Sequence, residues 1–295
     1  MGASQIPEMN SFAMTAPAPF DLEATAKSHG WVNLAPFQWC PVKRALQVTL
    51  ALSGELVKVQ VRAGPSDGTL LVNSSLRTGK KAAAALRSRL ERILMLDVEL
   101  TEASRTAEEL EPRVAEALRA GAGRLLRGAT FFEDAAKTVL TINTSWENTV
   151  SMVRSLVDGL GAGAFPAPVA IARAGVDSLR RIAPLGYRAR TLVTLAEQGL
   201  DARWFGEDGD LHSAPPTKAE LLSVWGIGPY AATHIRVLSG DFEFIPVDSE
   251  VKAHMAHQFG SADKDPNVIY ERWGRHRFVG YKLNRMLERT NWIGD

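Results

Sequence analysis

The segment Leu221-Leu222-Ser223-Val224-Trp225-Gly226-Ile227-Gly228-Pro229-Tyr230-Ala231-Ala232 holds the residues whose spacing speaks most directly of chemistry. Two glycines around one apolar residue let a backbone approach a ligand closely and aim its amides outward. Pro229 sits where a helix would open, and amides at a helix N-terminus, reinforced by the dipole, suit a phosphate. The same pattern fits an ordinary helical hairpin, so Gly-Ile-Gly by itself leaves both readings open. About one helix and its return downstream comes Phe244-Ile245-Pro246-Val247-Asp248. Pro246-Val247 reads as extended chain, and Asp248 is placed to cap the helix that follows. Capping alone would explain the aspartate; so would a carboxylate facing whatever the hairpin binds.

The elements that must position these residues fall into two kinds. From residue 45 to 73 the apolar pattern has period two: Leu46, Val48, Leu50 and Leu52, then Val57, Val59 and Val61, then Leu70-Leu71-Val72. This predicts three antiparallel strands with one face to be covered, and the cover is a helix over 81–95 carrying Leu86, Leu90, Ile93 and Leu94 at helical spacing. Beyond residue 100 the spacing turns helical, over 104–126, 132–142, 145–160, 166–174, 188–199, 217–225, 229–239, 248–259 and 279–290. Strands followed by a long run of helices define an α+β chain, with a small N-terminal antiparallel sheet domain and a larger all-helical domain. The expected division is a flexible tail over 1–20, the sheet domain with covering helices over 21–125, and the helical domain over 126–295.

Composition narrows the function classes. The chain has 295 residues, 45% hydrophobic and 23% charged, an ordinary globular balance with ample material for a core. Lys and Arg number 34 against 33 Asp and Glu, a net charge of +1, which excludes a strongly basic nucleic-acid coat. A local basic face is still allowed. Arg180, Arg181, Arg188 and Arg190 form one basic cluster, and Arg272, Arg275, Arg277, Lys282, Arg285 and Arg289 form another. Asp97, Glu99, Glu102, Glu108, Glu109 and Glu111 oppose them, and a set of solvated helix faces would give the same pattern. The lone cysteine, Cys40, excludes a disulfide framework, a four-cysteine zinc site and a four-cysteine iron–sulfur cluster. No apolar run approaches the ~18 residues of a membrane helix, and residues 1–20 lack the basic and apolar regions of a secretory signal. A cytoplasmic protein with no membrane partner is expected, and His254, His257 and His276 are too scattered to read as metal ligands.

Leu221, then Gly226-Ile227-Gly228 and Ala232, followed by Pro246-Val247-Asp248, resembles the helix-hairpin-helix, Gly/Pro-rich loop and Asp signature of the DNA glycosylase superfamily of base-excision repair. Further stretches are similar to the same superfamily. Residues 138–148 match the helix and loop that send a polar residue into the duplex, and residues 185–190 are similar to a segment of 8-oxoguanine glycosylases. Residues 31–39, the hairpins and residues 96–100 resemble the extra sheet domain of those enzymes and of bacterial 3-methyladenine DNA glycosylase II.

The resemblance implies a helix-hairpin-helix glycosylase domain, double-stranded DNA with a damaged base as partner, and Asp248 as the catalytic carboxylate. Such enzymes extrude the target nucleotide, and a fixed carboxylate stabilises the positive charge left on the sugar as the base departs. Bifunctional members carry a lysine where Tyr230 stands. Tyrosine forms no imine, so a monofunctional enzyme that leaves an abasic site is expected. Gly226, Ile227 and Gly228 are expected to offer amides to a DNA phosphate. The carbonyls of Leu222, Val224 and Ile227 match those that hold a monovalent cation; no other cofactor is required, and no iron–sulfur cluster is expected. Asn143 matches the duplex-inserting residue but would equally cap a helix, and Trp146 is either a wedge in the stack or core. Tyr187, Trp225 and Tyr230 are candidates for the base pocket, with Trp225 equally able to pack the hairpin helices together.

Two departures bear on substrate. Leu34 stands where 8-oxoguanine enzymes use a glycine carbonyl, and Glu250 where they carry a histidine. An aromatic at position 230 is shared with the alkylpurine enzymes, whose substrates are already cationic. An alkylated purine such as 3-methyladenine is therefore expected. The alternatives are 8-oxoguanine, a deaminated base or mispaired adenine on the same scaffold, or a non-catalytic damaged-DNA-binding protein. Lys252 reads as solvated or phosphate-facing, and a monomer is expected.

Overall fold

The computed structural model describes residues 10–52, 54–76 and 79–289. Five antiparallel strands form one sheet: β1 (Asn10–Thr15), β2 (Phe37–Cys40), β3 (Ala45–Leu52), β4 (Glu55–Ala63) and β5 (Thr69–Ser74), in the order β1-β5-β4-β3-β2. The three central strands follow the period-two pattern, with Leu46 paired to Val61 and Val61 to Val72 across the sheet. A short helix, α1 (Leu22–Ala26), lies between β1 and β2 in the chain, and α2 (Lys80–Ile93) supplies the cover. Leu86, Leu90 and Ile93 of α2 are fully buried in the same core as Val48, Leu50, Val59 and Val61.

Both edge strands depart from the sequence expectation. Residues 10–15, expected within a flexible tail, pair with β5 from Asn10↔Ser74 to Thr15↔Thr69. Edge strands are short and polar, and here only Phe12 and Met14 alternate among polar and small residues, too few to show a period. Residues 1–9 of that expected tail lie outside the described residues. β2 is likewise four residues long, with Phe37 its one fully buried side chain.

The helical part runs α3 (Thr101–Leu110), α4 (Pro112–Arg119), α5 (Phe131–Thr141), α6 (Trp146–Gly159), α7 (Pro168–Ile182), α8 (Arg188–Asp201), α9 (Lys218–Ser223), α10 (Pro229–Leu238), α11 (Ser249–Phe259), α12 (Pro266–Ile269) and α13 (Arg277–Arg289). The single helix expected over 104–126 is two, because Pro112 has no N–H to continue α3 and opens α4 instead. Residues 122–128 then run without helix, with the Arg127 amide donating to the Ile93 carbonyl at 2.8 Å. α7 continues past the expected end at 174, kinking at Gly175, where φ is 68°. Among the described residues no helix is long and apolar enough to cross a membrane.

One buried carboxylate ties the sheet domain to the helical one. Asp134 of α5 accepts from Trp31 Nε1 at 2.9 Å, from the Gly128 amide at 2.6 Å and from Arg92 of α2 at 2.6 Å. Burial pushes the Asp134 pKa up, and the Arg92 guanidinium opposes that shift. The segment around Trp31 is thereby held against α5, beside the helical hairpin.

Candidate active site and nucleic-acid interface

The hairpin forms as its residue types demand. Thr217 and Glu220 cap α9 reciprocally, and Leu221, Val224 and Ile227 turn inward, all buried. Gly226 has φ 86°, and a Cβ there would lie 2.2 Å from Thr191 Oγ1 on α8, so glycine is required twice over. Gly228 caps α10 with ordinary backbone angles, and a Cβ built on it would meet nothing within 4 Å. The turn thus leaves open space beside Gly228 into which a phosphate could approach.

Asp248 caps α11, its carboxylate accepting from the Val251 amide at 2.8 Å. It is half-buried and close enough to Tyr230, in the first turn of α10, for its charge to act on the phenol. Burial chiefly, with Asp248 adding to it, pushes the Tyr230 pKa up to about 12. At neutral pH this phenol is a protonated, uncharged group beside a carboxylate. The hairpin turn, Tyr230 and Asp248 therefore come together as the motif spacing implied.

From Tyr230 a row of rings runs inward. Its ring centre is 5.7 Å from that of His234, one helical turn on; His234 is 5.6 Å from Trp31, and Trp31 is 4.7 Å from His29. Below His29, the buried Lys137 pairs with Glu133 at 2.6 Å and lies 4.6 Å from the centre of the Phe37 ring. Glu133 also accepts from the Ala129 amide at 2.8 Å. Burial first, then the charge of Lys282, lowers the His234 pKa to about 4. Burial, Lys282, His234 and Lys137 hold His29 well below the usual histidine range. Both imidazoles are neutral at physiological pH.

The remaining candidates lie outside this row. Trp146, expected as either wedge or core, is 39% exposed and lies flat against Gly30, where a Cβ would fall 2.4 Å from its ring. Asn143 is exposed with φ 48° directly past α5, and its carbonyl accepts from Arg188 at 2.9 Å. Arg188 also donates to the Ile142 carbonyl at 3.0 Å, so the loop is clamped from beneath while the Asn143 side chain faces outward. Tyr187, 40% exposed, lies over Arg188 on the loop side and is not part of the ring row. Trp225, 42% exposed, does not pack between the hairpin helices; Arg190 lies 4.3 Å from its ring centre instead.

Charge is redistributed relative to the sequence reading. Arg275 pairs with Glu102, and Arg285 pairs with Glu250, so two cations of the C-terminal basic cluster are paired within the fold. His254 is buried, bonded to Glu288 at 2.9 Å and to the Tyr270 hydroxyl at 2.8 Å, and so belongs to the core. Among the described residues no group of three or more His, Cys, Asp or Glu is placed to hold a metal ion. Sequence reasoning missed His234, although its position one turn after Tyr230 was the available signal. It also missed His29 and Lys137, which only tertiary packing brings to the row.

A small antiparallel sheet leading into a helical domain, with a glycine hairpin and an aspartate-capped helix beside it, is the fold of the helix-hairpin-helix DNA glycosylases. The chain is similar to the 3-methyladenine DNA glycosylase from Archaeoglobus fulgidus, with TM-score 0.72 and 20% identity over 95% of this chain and 99% of that one. It is similar to the apo form of the Clostridium acetobutylicum 8-oxoguanine glycosylase/lyase, with TM-score 0.68 and 15% identity over 94% and 97% of the two chains. A DNA-3-methyladenine glycosidase from Bacillus halodurans matches 65% of this chain and 90% of its own, at TM-score 0.50 and 16% identity. No protein-family model and no curated protein sequence matches the chain.

Proposed function

We propose that this chain is a monofunctional DNA N-glycosylase that hydrolyses the bond between a damaged base and its sugar and leaves an abasic site. The observation that carries this reading is Asp248, which caps α11 close enough to Tyr230, at the head of the row of rings, for its charge to act on the phenol. A nucleotide rotated out of a duplex would set its phosphate against the Gly226–Gly228 turn, its sugar by Asp248 and its base among the rings. The carboxylate would then oppose the positive charge that develops on the sugar and orient the attacking water. Tyr230, protonated and without an amine, offers no imine route to strand cleavage.

The base we propose is an alkylated purine such as 3-methyladenine. Neutral imidazoles are poor general acids at pH 7, so the row supplies little help to a leaving group that must first be protonated. A base that already carries positive charge needs no such help and gains from the faces of Trp31 and Tyr230. The carbonyls of Leu222, Val224 and Ile227 border the turn, and that of Val224, which accepts from the Ile227 amide at 3.1 Å, keeps a second lone pair. Leu222, Val224 and Ile227 are thus the residues that would hold a monovalent cation there, stiffening the loop at the phosphate. The protein would act as a cytoplasmic monomer on double-stranded DNA.

The test is base release from duplexes each bearing one lesion: an alkylated purine, 8-oxoguanine, uracil, hypoxanthine, or adenine in a mispair. Expected are release from alkylated DNA, a nick only after alkali, and no borohydride-trapped adduct. Asp248→Asn keeps the cap on α11 and should bind duplex while releasing no base. Wild-type turnover in that variant would refute the assignment. Damage-dependent binding without release by the intact protein would make it a binding module.

A further inference from the structure

The ring row contains two buried nitrogens with no hydrogen-bond partner, His29 Nε2 and His234 Nε2. Their ring centres are 6.5 Å apart, with Trp31 against both. Buried polar atoms in folded proteins are nearly always bonded, because leaving them bare costs free energy. Two bare nitrogens in one aromatic cluster, beside a candidate catalytic carboxylate, mark polar capacity held for something that arrives. His29, His234 and Tyr230 are half-buried, while Trp31 is buried behind them.

Ser28 bears on which nitrogen of His29 carries the proton. The Leu126 amide donates to Ser28 Oγ at 3.0 Å, and Ser28 Oγ lies 3.0 Å from His29 Nδ1. The Ser28 hydroxyl can turn its own hydrogen to Nδ1, and with the hydrogen so placed the ring proton of His29 sits on Nε2. In that tautomer His29 presents an N–H donor to the cluster. His234 presents a second ring nitrogen from the opposite side, on the helix that carries Tyr230.

We propose that His29 and His234 form the recognition floor of the base site, with His29 Nε2–H donating to a ring nitrogen or carbonyl of an extruded purine stacked among Trp31 and Tyr230. The inference rests on the glycosylase reading for the location of the base. It adds which atoms discriminate among bases, and it assigns Ser28 as the positioning residue that sets the His29 tautomer. Because a donor aimed at the base rewards an acceptor and rejects an amino group, the site selects by edge as well as by charge.

The experiment separates base recognition from DNA binding. Free 3-methyladenine, 7-methylguanine, hypoxanthine and 8-oxoguanine are titrated against the wild-type chain and against His29→Phe, His234→Phe and Ser28→Ala. In parallel, each variant is measured on a duplex with a tetrahydrofuran abasic analogue, which puts no base in the site. The wild type should bind at least one of these purines. Each Phe variant should lose that affinity by about ten- to a hundredfold, the usual effect of removing a buried hydrogen bond. Ser28→Ala should lose part of it, and abasic-duplex affinity should stay within about twofold of wild type. Unchanged base affinity in both Phe variants, a parallel fall in abasic-duplex affinity, or no base bound by the wild type would overturn the proposal. Where a Phe variant does not fold, the Leu variants at the same positions, equally without a polar atom, carry the same test. If purines bind through these histidines but no base is released from any lesion duplex, the floor stands and the glycosylase reading falls.

Discussion

Gly226→Ala should break the hairpin for two separable reasons, and their sizes can be worked from the geometry. An alanine at φ 86° occupies the left-handed region, at about 1–2 kcal/mol. Its methyl group would also lie 2.2 Å from Thr191 Oγ1 and 3.0 Å from Thr191 Cγ2, an overlap within a buried site that adds about 1–3 kcal/mol. The total, about 2–5 kcal/mol, is a large share of the stability of an ordinary domain. Thr191→Ala removes both of those atoms and leaves Cβ at 3.2 Å, a tight but tolerable neighbour. The Thr191 hydroxyl has no hydrogen-bond partner, so its removal alone should cost only about 1 kcal/mol for the lost methyl. The double variant should therefore recover the overlap and retain the conformational cost. Urea denaturation of the four proteins, with the slope unchanged, gives the coupling directly. A coupling of about 1–3 kcal/mol is expected, with duplex affinity recovering in step. Strict additivity, or a Gly226→Ala variant as stable as wild type, would refute the steric reasoning.

Other consequences follow from the same geometry. Asp134→Ala would strip the acceptor from Arg92, Trp31 Nε1 and the Gly128 amide at once, and should destabilise by about 3–5 kcal/mol in chemical denaturation, because it leaves a buried guanidinium unpaired. His234 has a folded pKa of about 4, below its unfolded value of 6.5, so the unfolded chain binds the extra proton in that window. Stability from this group is intact above pH 6.5 and falls toward pH 4; relative to His234→Phe, the wild type should lose about 3 kcal/mol across the window in denaturation at stepped pH. Arg190→Ala should weaken duplex binding and reduce the slope of log affinity against log salt by about one, since the guanidinium over Trp225 is one of the cations left on the hairpin side.

What could be read from the chain was whatever depends on local spacing. The three inner strands showed themselves because Leu46 to Leu52 and Val57 to Val61 alternate on a sheet with one buried face. The edge strands did not, since β1 and β2 are set by their neighbours' free edges more than by their own pattern. Tyr230 and Asp248 were legible together because one helix and a return separate them, a distance the motif itself specifies. Trp146 and Trp225 left two readings each, and nothing in a sequence states which side of a tryptophan meets backbone and which meets water.

The residues that complete the site come from farther apart. His29 and Trp31 meet His234 only because Asp134, on a third element, binds Trp31 and Arg92 together in the interior. Such a contact spans about two hundred residues and leaves no period behind it. The fate of charge was equally hidden: Arg285 and Arg275 read as part of a basic cluster until the fold set Glu250 and Glu102 beside them. The sequence by itself determined the fold class, the hairpin and the position of the candidate carboxylate, all consequences of short-range spacing. Only the tertiary structure brought His29, Trp31 and His234 into one cluster, because burial and pairing depend on which distant segments share the same space.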